Sequence, residues 1–272
     1  MQDEKVRWLA ARTAVDRLSR GVPVAALGIR SSRTADIARI AHSTGHQAIW
    51  VDLEHSTMPI DTAAMISAAA MDLGLAPFAR IPEREYGVIG RLLDGGVLGI
   101  IAPRVESVAE AQDIIAACRF PPFGHRSAVA TLAHVDFEKL PAEQFNQIMN
   151  RATVVKILIE SPLGIERIEA IAALPGVDLV GIGTNDLSAE MGVAGQYSHP
   201  TVRKAHEAAI SACQRAQKPL AIGGIGDPAY NADLIRLGAA PFLFTGIDTD
   251  LLLGAARERV GLALASLTPR PP

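Results

Sequence analysis

The chain has 272 residues, is 49% hydrophobic but only 4% aromatic, and sets 26 Lys and Arg against 29 Asp and Glu. A net charge of −3 with no basic stripe gives no reason to expect nucleic acid, and no apolar run approaches a membrane span. Cys118 and Cys213, the only cysteines, sit in helix-like surroundings without metal-type spacing, as in a reduced cytoplasmic protein.

Residues 1–20 read as an N-terminal helix that is charged throughout and lacks the apolar stretch of a signal peptide. Short aliphatic runs then recur at 24–27, 48–51, 76–79, 99–102, 154–159, 179–182, 220–222 and 242–244. Helix-period segments lie between them at 34–41, 61–73, 107–118, 164–173, 201–216 and 230–237. Eight strands alternating with helices call for a parallel sheet with crossover connections. Their regular repetition over this length predicts a single α/β domain, a closed (β/α)8 TIM barrel spanning residues 1–272. Thr44-Gly45, Leu73-Gly74 and Leu237-Gly238 place glycine where a helix ends most easily. The connection over 103–153 is far longer than the others, and long excursions in a compact domain are commonly functional loops. Residues 267–272 read as a short flexible tail. A doubly wound open sheet is the alternative, because periodicity cannot show closure.

In a barrel the chemistry gathers at the carboxyl ends of the strands. The second strand ends in Asp52, Glu54 and His55, close enough for a carboxylate to orient an imidazole. The third ends in Arg80, the fourth in Arg104, the fifth in Glu160 and the sixth in Gly183-Thr184-Asn185-Asp186. Glu160 and Asp186 lie one β–α unit apart, so their strand tips are expected to be neighbours at about 4.8 Å. Two carboxylates at that spacing repel unless a proton or a cation lies between them. They suit Mg2+ or Mn2+, with Co2+ or Zn2+ as further candidates; the alternative pairs Glu160 with Arg80 or Arg104 and makes Asp186 a helix cap. Arg80 either neutralises its neighbours or holds a substrate oxygen where charge develops. Gly223-Gly224 and Thr245-Gly246-Ile247-Asp248 occupy the usual barrel phosphate position with neither a lysine nor a glycine run. His42, His46 and His206 read as surface residues of helices, His125 and His134 as parts of the long excursion, and His199 as a helix start.

With these residues in place, the chain resembles the HpcH/HpaI aldolases, the metal-dependent class II pyruvate aldolases, over roughly 21–254. The matching stretches include Val51-Asp52-Leu53-Glu54-His55, Pro77-Phe78-Ala79-Arg80-Ile81-Pro82, Arg91-Leu92-Leu93-Asp94-Gly95-Gly96, Ile159-Glu160-Ser161 and Gly181-Ile182-Gly183-Thr184-Asn185-Asp186-Leu187-Ser188. The resemblance implies reversible cleavage of a 4-hydroxy-2-oxo acid to pyruvate and an aldehyde through a metal-bound enolate. It implies that Glu160 and Asp186 bind the metal, and that His55, oriented by Asp52, handles protons. Arg80 would hold the keto oxygen, backbone near Gly183, Thr184 and Asn185 would meet the carboxylate, and Asp94 would reach a neighbouring subunit's site. The family is typically a hexamer, a trimer of dimers. Three positions depart from its pattern: Leu158 where a glutamine is usual, Gly124-His125-Arg126-Ser127-Ala128-Val129 for a glycine-richer loop, and Thr184-Asn185 for Pro-Ala. They leave open an oxaloacetate decarboxylase using the same enolate, a non-catalytic barrel that binds a 2-oxo acid, and a phosphate-handling isomerase. Lys156 reads as structural or peripheral, since no Schiff-base lysine is required.

Overall fold

The computed structural model describes residues 7–129 and 131–267. Eight parallel strands are present: β1 (Val24–Ile29), β2 (Ala48–Asp52), β3 (Ala76–Arg80), β4 (Gly99–Ala102), β5 (Val154–Ile159), β6 (Leu179–Gly183), β7 (Leu220–Gly223) and β8 (Phe242–Ile247). Their hydrogen-bonded order is β7-β6-β5-β4-β3-β2-β1-β8, so the sheet rolls into the expected TIM barrel, closed except along the β7–β8 seam. The strands are near-continuous apolar runs because parallel strands in such a barrel are covered on both faces.

Alternation sorts each strand into two faces. One series, including Ile29, Ile49, Val51, Ile100, Ile157 and Ile159, packs outward beneath the helices. The other, including Ala26, Ala48, Phe78, Ile101, Leu158, Ala221 and Phe242, fills the interior. The aromatic interior is accommodated by glycine on a neighbouring strand: a Cβ on Gly99 would stand 2.2 Å from the Phe78 ring. Helix α1 (Ala10–Ser19) joins this interior cluster through Ala11, Ala14, Val15 and Leu18, and closes the barrel at the amino ends of the strands. The opposite end stays open for chemistry.

The crossover helices are α2 (Asp36–Ser43), α3 (Ile60–Asp72), α4 (Ile89–Asp94), α5 (Val108–Cys118), α6 (Ala142–Ala152), α7 (Pro162–Ala172), α8 (Thr184–Glu190), α9 (Pro200–Arg215) and α10 (Pro228–Arg236), and α11 (Asp248–Ala265) follows the last strand. Gly45, Gly74 and Gly238 do follow helix ends in left-handed conformation, with φ of +83°, +75° and +116°. The long β4–β5 excursion holds α5 and then α6, which packs Phe145 and Met149 on Phe120 and Leu132 as a small satellite core. His206, expected at the surface, is instead fully buried in α9, bonded to Thr184 Oγ1 at 3.2 Å and to the Tyr230 hydroxyl at 3.0 Å. His134 is buried as well. The tail expected at 267–272 lies, apart from Leu267, outside the described residues.

Helix α11 departs from the barrel pattern. It has 18 residues and none is buried. Leu251, Leu252, Leu253, Val260, Leu262 and Leu264 are all exposed. Among the described residues no helix is long and apolar enough to cross a membrane.

Candidate active site

A cavity of about 390 Å³ opens at the carboxyl end of the barrel, lined by Arg30, Trp50, His55, Arg80, Lys156, Leu158, Glu160, Gly183, Thr184, Asn185 and Asp186, among others. The register explains the gathering. Asp52 on β2 lies directly opposite Arg80 on β3, and Ile29 opposite Val51, so the next residue of β1, Arg30, continues the row. Arg30, Asp52 and Arg80 therefore stand side by side on three adjacent strand tips.

Asp52 is fully buried between the two arginines. Arg80 donates from Nε to Asp52 Oδ1 at 3.0 Å and from Nη2 to Oδ2 at 2.7 Å, and Arg30 Nε donates to Oδ2 at 2.6 Å. Burial by itself would raise this carboxyl, but the arginines outweigh it and hold Asp52 below the usual carboxylate range. Arg80 Nη1 lies 2.8 Å from Glu54 Oε2. That oxygen is buried without a hydrogen-bonding geometry to any partner among the described residues, and burial raises the Glu54 carboxyl.

The imidazole of His55 stands apart from Asp52. Asp52 Oδ1 accepts the backbone N–H groups of Glu54 and His55, at 3.2 and 3.3 Å, so it shapes the turn rather than gripping the ring. The ring is about half exposed at the cavity, with Nε2 3.8 Å from Glu54 Oε2.

Glu160 follows β5 and is 3% exposed. Its successor Ser161 caps α7 by accepting the N–H of Gly164 at 3.1 Å, with Pro162 opening the helix, so the acid sits at the abrupt end of a strand. Arg104, in the left-handed region at φ 51°, donates its backbone N–H to Glu160 Oε2 at 3.0 Å. Neither Arg80 nor Arg104 makes an ion pair with Glu160; the Arg104 guanidinium turns to Glu190 and Glu83. Gly183 supplies the room on the other side, because a Cβ there would fall 2.2 Å from Glu160 Oε1. Burial, then the nearby charges of Glu54 and Asp186, push the Glu160 carboxyl up to about 7. Asp186 lies in the first turn of α8, whose cap position is Gly183, so it is not the helix cap and remains available to the cavity.

This donor set fits a hard divalent cation. Buried carboxylate oxygens crowded by like charge are what such an ion relieves. Among the described residues no three His, Cys, Asp or Glu side chains form a ready-made metal cluster. Glu160 and Asp186 would thus supply two ligands and leave the rest to water and substrate, as Mg2+ prefers.

Asp94 lies outside the cavity lining. It ends α4 and pairs with buried Arg126 at 2.6 Å. Thr184 and Asn185 line the cavity at the start of α8.

Arg30 was missed from sequence, and Lys156 on the floor was read only as structural or peripheral. Strand β1 runs two residues beyond the expected 24–27, and extending its alternation through Ala26 and Gly28 would have found Arg30. Lys156 is 2% exposed, on the same inward face as Leu158 and Glu160, with Nζ 4.9 Å from both the Phe242 and Phe244 rings. Burial first, and then the charge of Arg80, bring its amine down to about 7. In a strand buried throughout, no polar alternation singles it out.

The sequence profile of the HpcH/HpaI aldolase/citrate lyase family matches residues 30–255. A 4-hydroxy-4-methyl-2-oxoglutarate aldolase of Hapsidospora irregularis is 35% identical over 93% of this chain and 94% of its own. A hydroxypyruvate/pyruvate aldolase of Pseudomonas aeruginosa is 33% identical, covering 82% of each chain. The crystal structure of an HpcH/HpaI aldolase from Desulfitobacterium hafniense superposes with a TM-score of 0.83 at 27% identity, over 94% of this chain and 98% of that one. The chain belongs to the HpcH/HpaI aldolase/citrate lyase family.

Proposed function

We propose that the protein is a class II pyruvate aldolase, a divalent-metal-dependent lyase that splits 4-hydroxy-2-oxo acids into pyruvate and a carbonyl compound. The observation that carries this reading is one cavity in which crowded carboxylates, Glu160 and Asp186, face Arg80 and His55. Family membership and the aldolase names of its relatives support it.

Cleavage breaks the bond between C3 and C4. The electron pair passes into the three-carbon fragment as an enolate, the 4-hydroxyl loses its proton, and C4 becomes a carbonyl. A divalent cation, when bound by Glu160 and Asp186, supplies positive charge that polarises the 2-oxo group. Arg80 supplies a second positive partner: two of its five N–H groups bond Asp52, and those left on Nη1 and Nη2 serve the developing enolate oxygen. Asp52 acts by fixing Arg80 and the turn that carries His55. The half-exposed imidazole takes the 4-hydroxyl proton during cleavage and returns it during condensation. Backbone at Gly183, Thr184 and Asn185 meets the substrate carboxylate. Oxaloacetate decarboxylation would draw on the same enolate chemistry without a carbonyl product. Mg2+ or Mn2+ is the cation that oxygen donors favour.

The functional unit is an assembly of copies, a hexamer built as a trimer of dimers. A helix that leaves this many large apolar side chains exposed is a helix meant to be covered, and α11 has consecutive leucines at 251–253, further exposed Val260, Leu262 and Leu264, and no buried residue. Asp94, outside its own chain's cavity, would there face a neighbouring site. The reducing cytoplasm is the compartment that suits two buried, unpaired thiols.

Glu160→Gln tests the metal assignment. The amide keeps the shape and still accepts the Arg104 N–H, but it lacks charge. The expected result is an unchanged or higher Tm with kcat/KM lowered at least about a hundredfold, the upper end of the cost of disturbing even outer groups of a metal site. Wild-type rates in metal-replete buffer would remove Glu160 from the mechanism.

A further inference from the structure

Lys156 carries an amine that the metal-dependent reaction leaves unused. It shares the inward face of β5 with Leu158 and Glu160 and lines the active-site cavity. The register with β6 sets its height. Leu158 pairs with Gly181, and a Cβ on Gly181 would stand 2.7 Å from Lys156 Cε and 3.5 Å from Nζ. The side chain therefore climbs towards the open end of the barrel. Its nitrogen reaches the Leu158 layer, one step of alternation beneath Glu160, or about 7 Å of strand.

The surroundings of that nitrogen are apolar. Nζ stands 4.9 Å from the centres of both the Phe242 and Phe244 rings. Among the described residues it has no ion pair and no hydrogen bond, and Glu160 Oε2 is engaged by the backbone N–H of Arg104. At 158, where a glutamine would offer the amine a carbonyl acceptor, the chain has leucine. The charges that reach Lys156, on Arg80 and Glu160, act in opposite directions, so burial dominates and brings the amine down to about 7. At neutral pH many molecules then present a free lone pair to a cavity that Arg30 and Arg80 also line. A desolvated lysine in an apolar pocket is the nucleophile that captures carbonyl carbons.

We propose that Lys156 forms a Schiff base with the 2-oxo group of an oxo acid bound in the cavity, a covalent site separate from the Glu160 and Asp186 pair. The choice of an oxo acid rests on the aldolase reading, whereas the reactive amine stands on the structure alone. The acid's carboxylate stays with the arginines at the strand tips, and its carbonyl carbon turns down towards the amine. The Nζ lone pair bonds to C2 while the carbonyl π pair moves to oxygen, which takes one proton from the nitrogen. The carbinolamine so formed expels its hydroxyl as water, which takes the second nitrogen proton as the C=N bond forms. No cation is needed, so the adduct belongs to the metal-free protein.

The test is reductive trapping on the full chain in EDTA. Pyruvate is added, cyanoborohydride delivers hydride to the imine carbon, and intact mass with peptide mapping locates the secondary amine. The expected label is one pyruvate-derived group per chain on Lys156, formed at least about tenfold faster than on the exposed Lys139 and Lys204. Lys156→Met should lose it, and the map of the wild type identifies the site whether or not that variant folds. No label at Lys156, or labelling no faster there than at Lys139 and Lys204, would overturn the proposal. Labelling of Lys156 by acetaldehyde but not by pyruvate would overturn the oxo-acid assignment. Pyruvate release from a 4-hydroxy-2-oxo acid with Mn2+ is recorded on the same preparation. Release without the label overturns this inference alone, and the label without release keeps the Schiff base while removing the aldolase reading. Neither label nor release would remove both.

Discussion

Lys156 shows how a single residue on the barrel floor can be read through its proton. Its amine titrates at about 7 inside the folded protein against 10.5 for an ordinary lysine, because burial among Phe242, Phe244 and Leu158 disfavours the charge. Between those values the unfolded chain holds a proton that the folded one has released, so stability rises with pH across the window from about 7 to 10.5. Lys156→Met removes that dependence. Its Tm should exceed that of wild type by at least about 2 °C near neutrality, with the gap closing towards pH 10.5, as differential scanning calorimetry would record. A gap that stays constant with pH would show that Lys156 keeps its ordinary proton affinity. At this same scale the acidic and basic strand tips were readable from sequence, because polar residues at the ends of apolar runs stand out. Asp52 illustrates the limit. Its spacing from His55 suggested a paired imidazole, but the pairing across the sheet gives the carboxylate to Arg80, and pairing between distant segments cannot be read from local spacing.

Elements were legible in proportion to their periodicity. All eight strands lie where aliphatic runs place them, most within a residue or two of their expected ends. The short α4 and α8 were not anticipated, since six or seven residues give too few turns to display a helical period. Nor was α6, whose apolar residues serve a local cluster with Phe120 and Leu132 rather than the barrel. Helix α11 is the element whose packing the single chain leaves unfinished. Leu252 is 71% exposed and Leu264 63%, so replacing both by Asp should change the folding of an isolated subunit by no more than about 1 kcal/mol. In an assembly that covers α11 the same change places charge in an apolar contact. Sedimentation velocity of the Leu252→Asp, Leu264→Asp variant is expected to show smaller species than the wild type. Identical sedimentation coefficients would mean that α11 stays uncovered in solution.

For the molecule as a whole, the barrel separates stability from chemistry. Helix α1 and the aromatic interior seal one end, while β2, β3, β5 and β6 carry their charged tips to the other. The buried pair of Asp52 and Arg80 is costly to disturb, because stranding one member of such a pair typically costs about 3–5 kcal/mol. Glu160 is different: it is crowded by Glu54 and Asp186, with its carboxyl raised to about 7, and is the group whose surroundings ask for a cation. Metal-dependent pyruvate release is therefore the decisive property of the protein. The direct measurement is pyruvate formed from a racemic 4-hydroxy-2-oxo acid, with Mg2+ or Mn2+, with EDTA, and with metal restored. Release that EDTA stops and fresh metal recovers is the predicted result, with one carbonyl product for each pyruvate. Release that continues undiminished in EDTA, or no release with either metal, would contradict it.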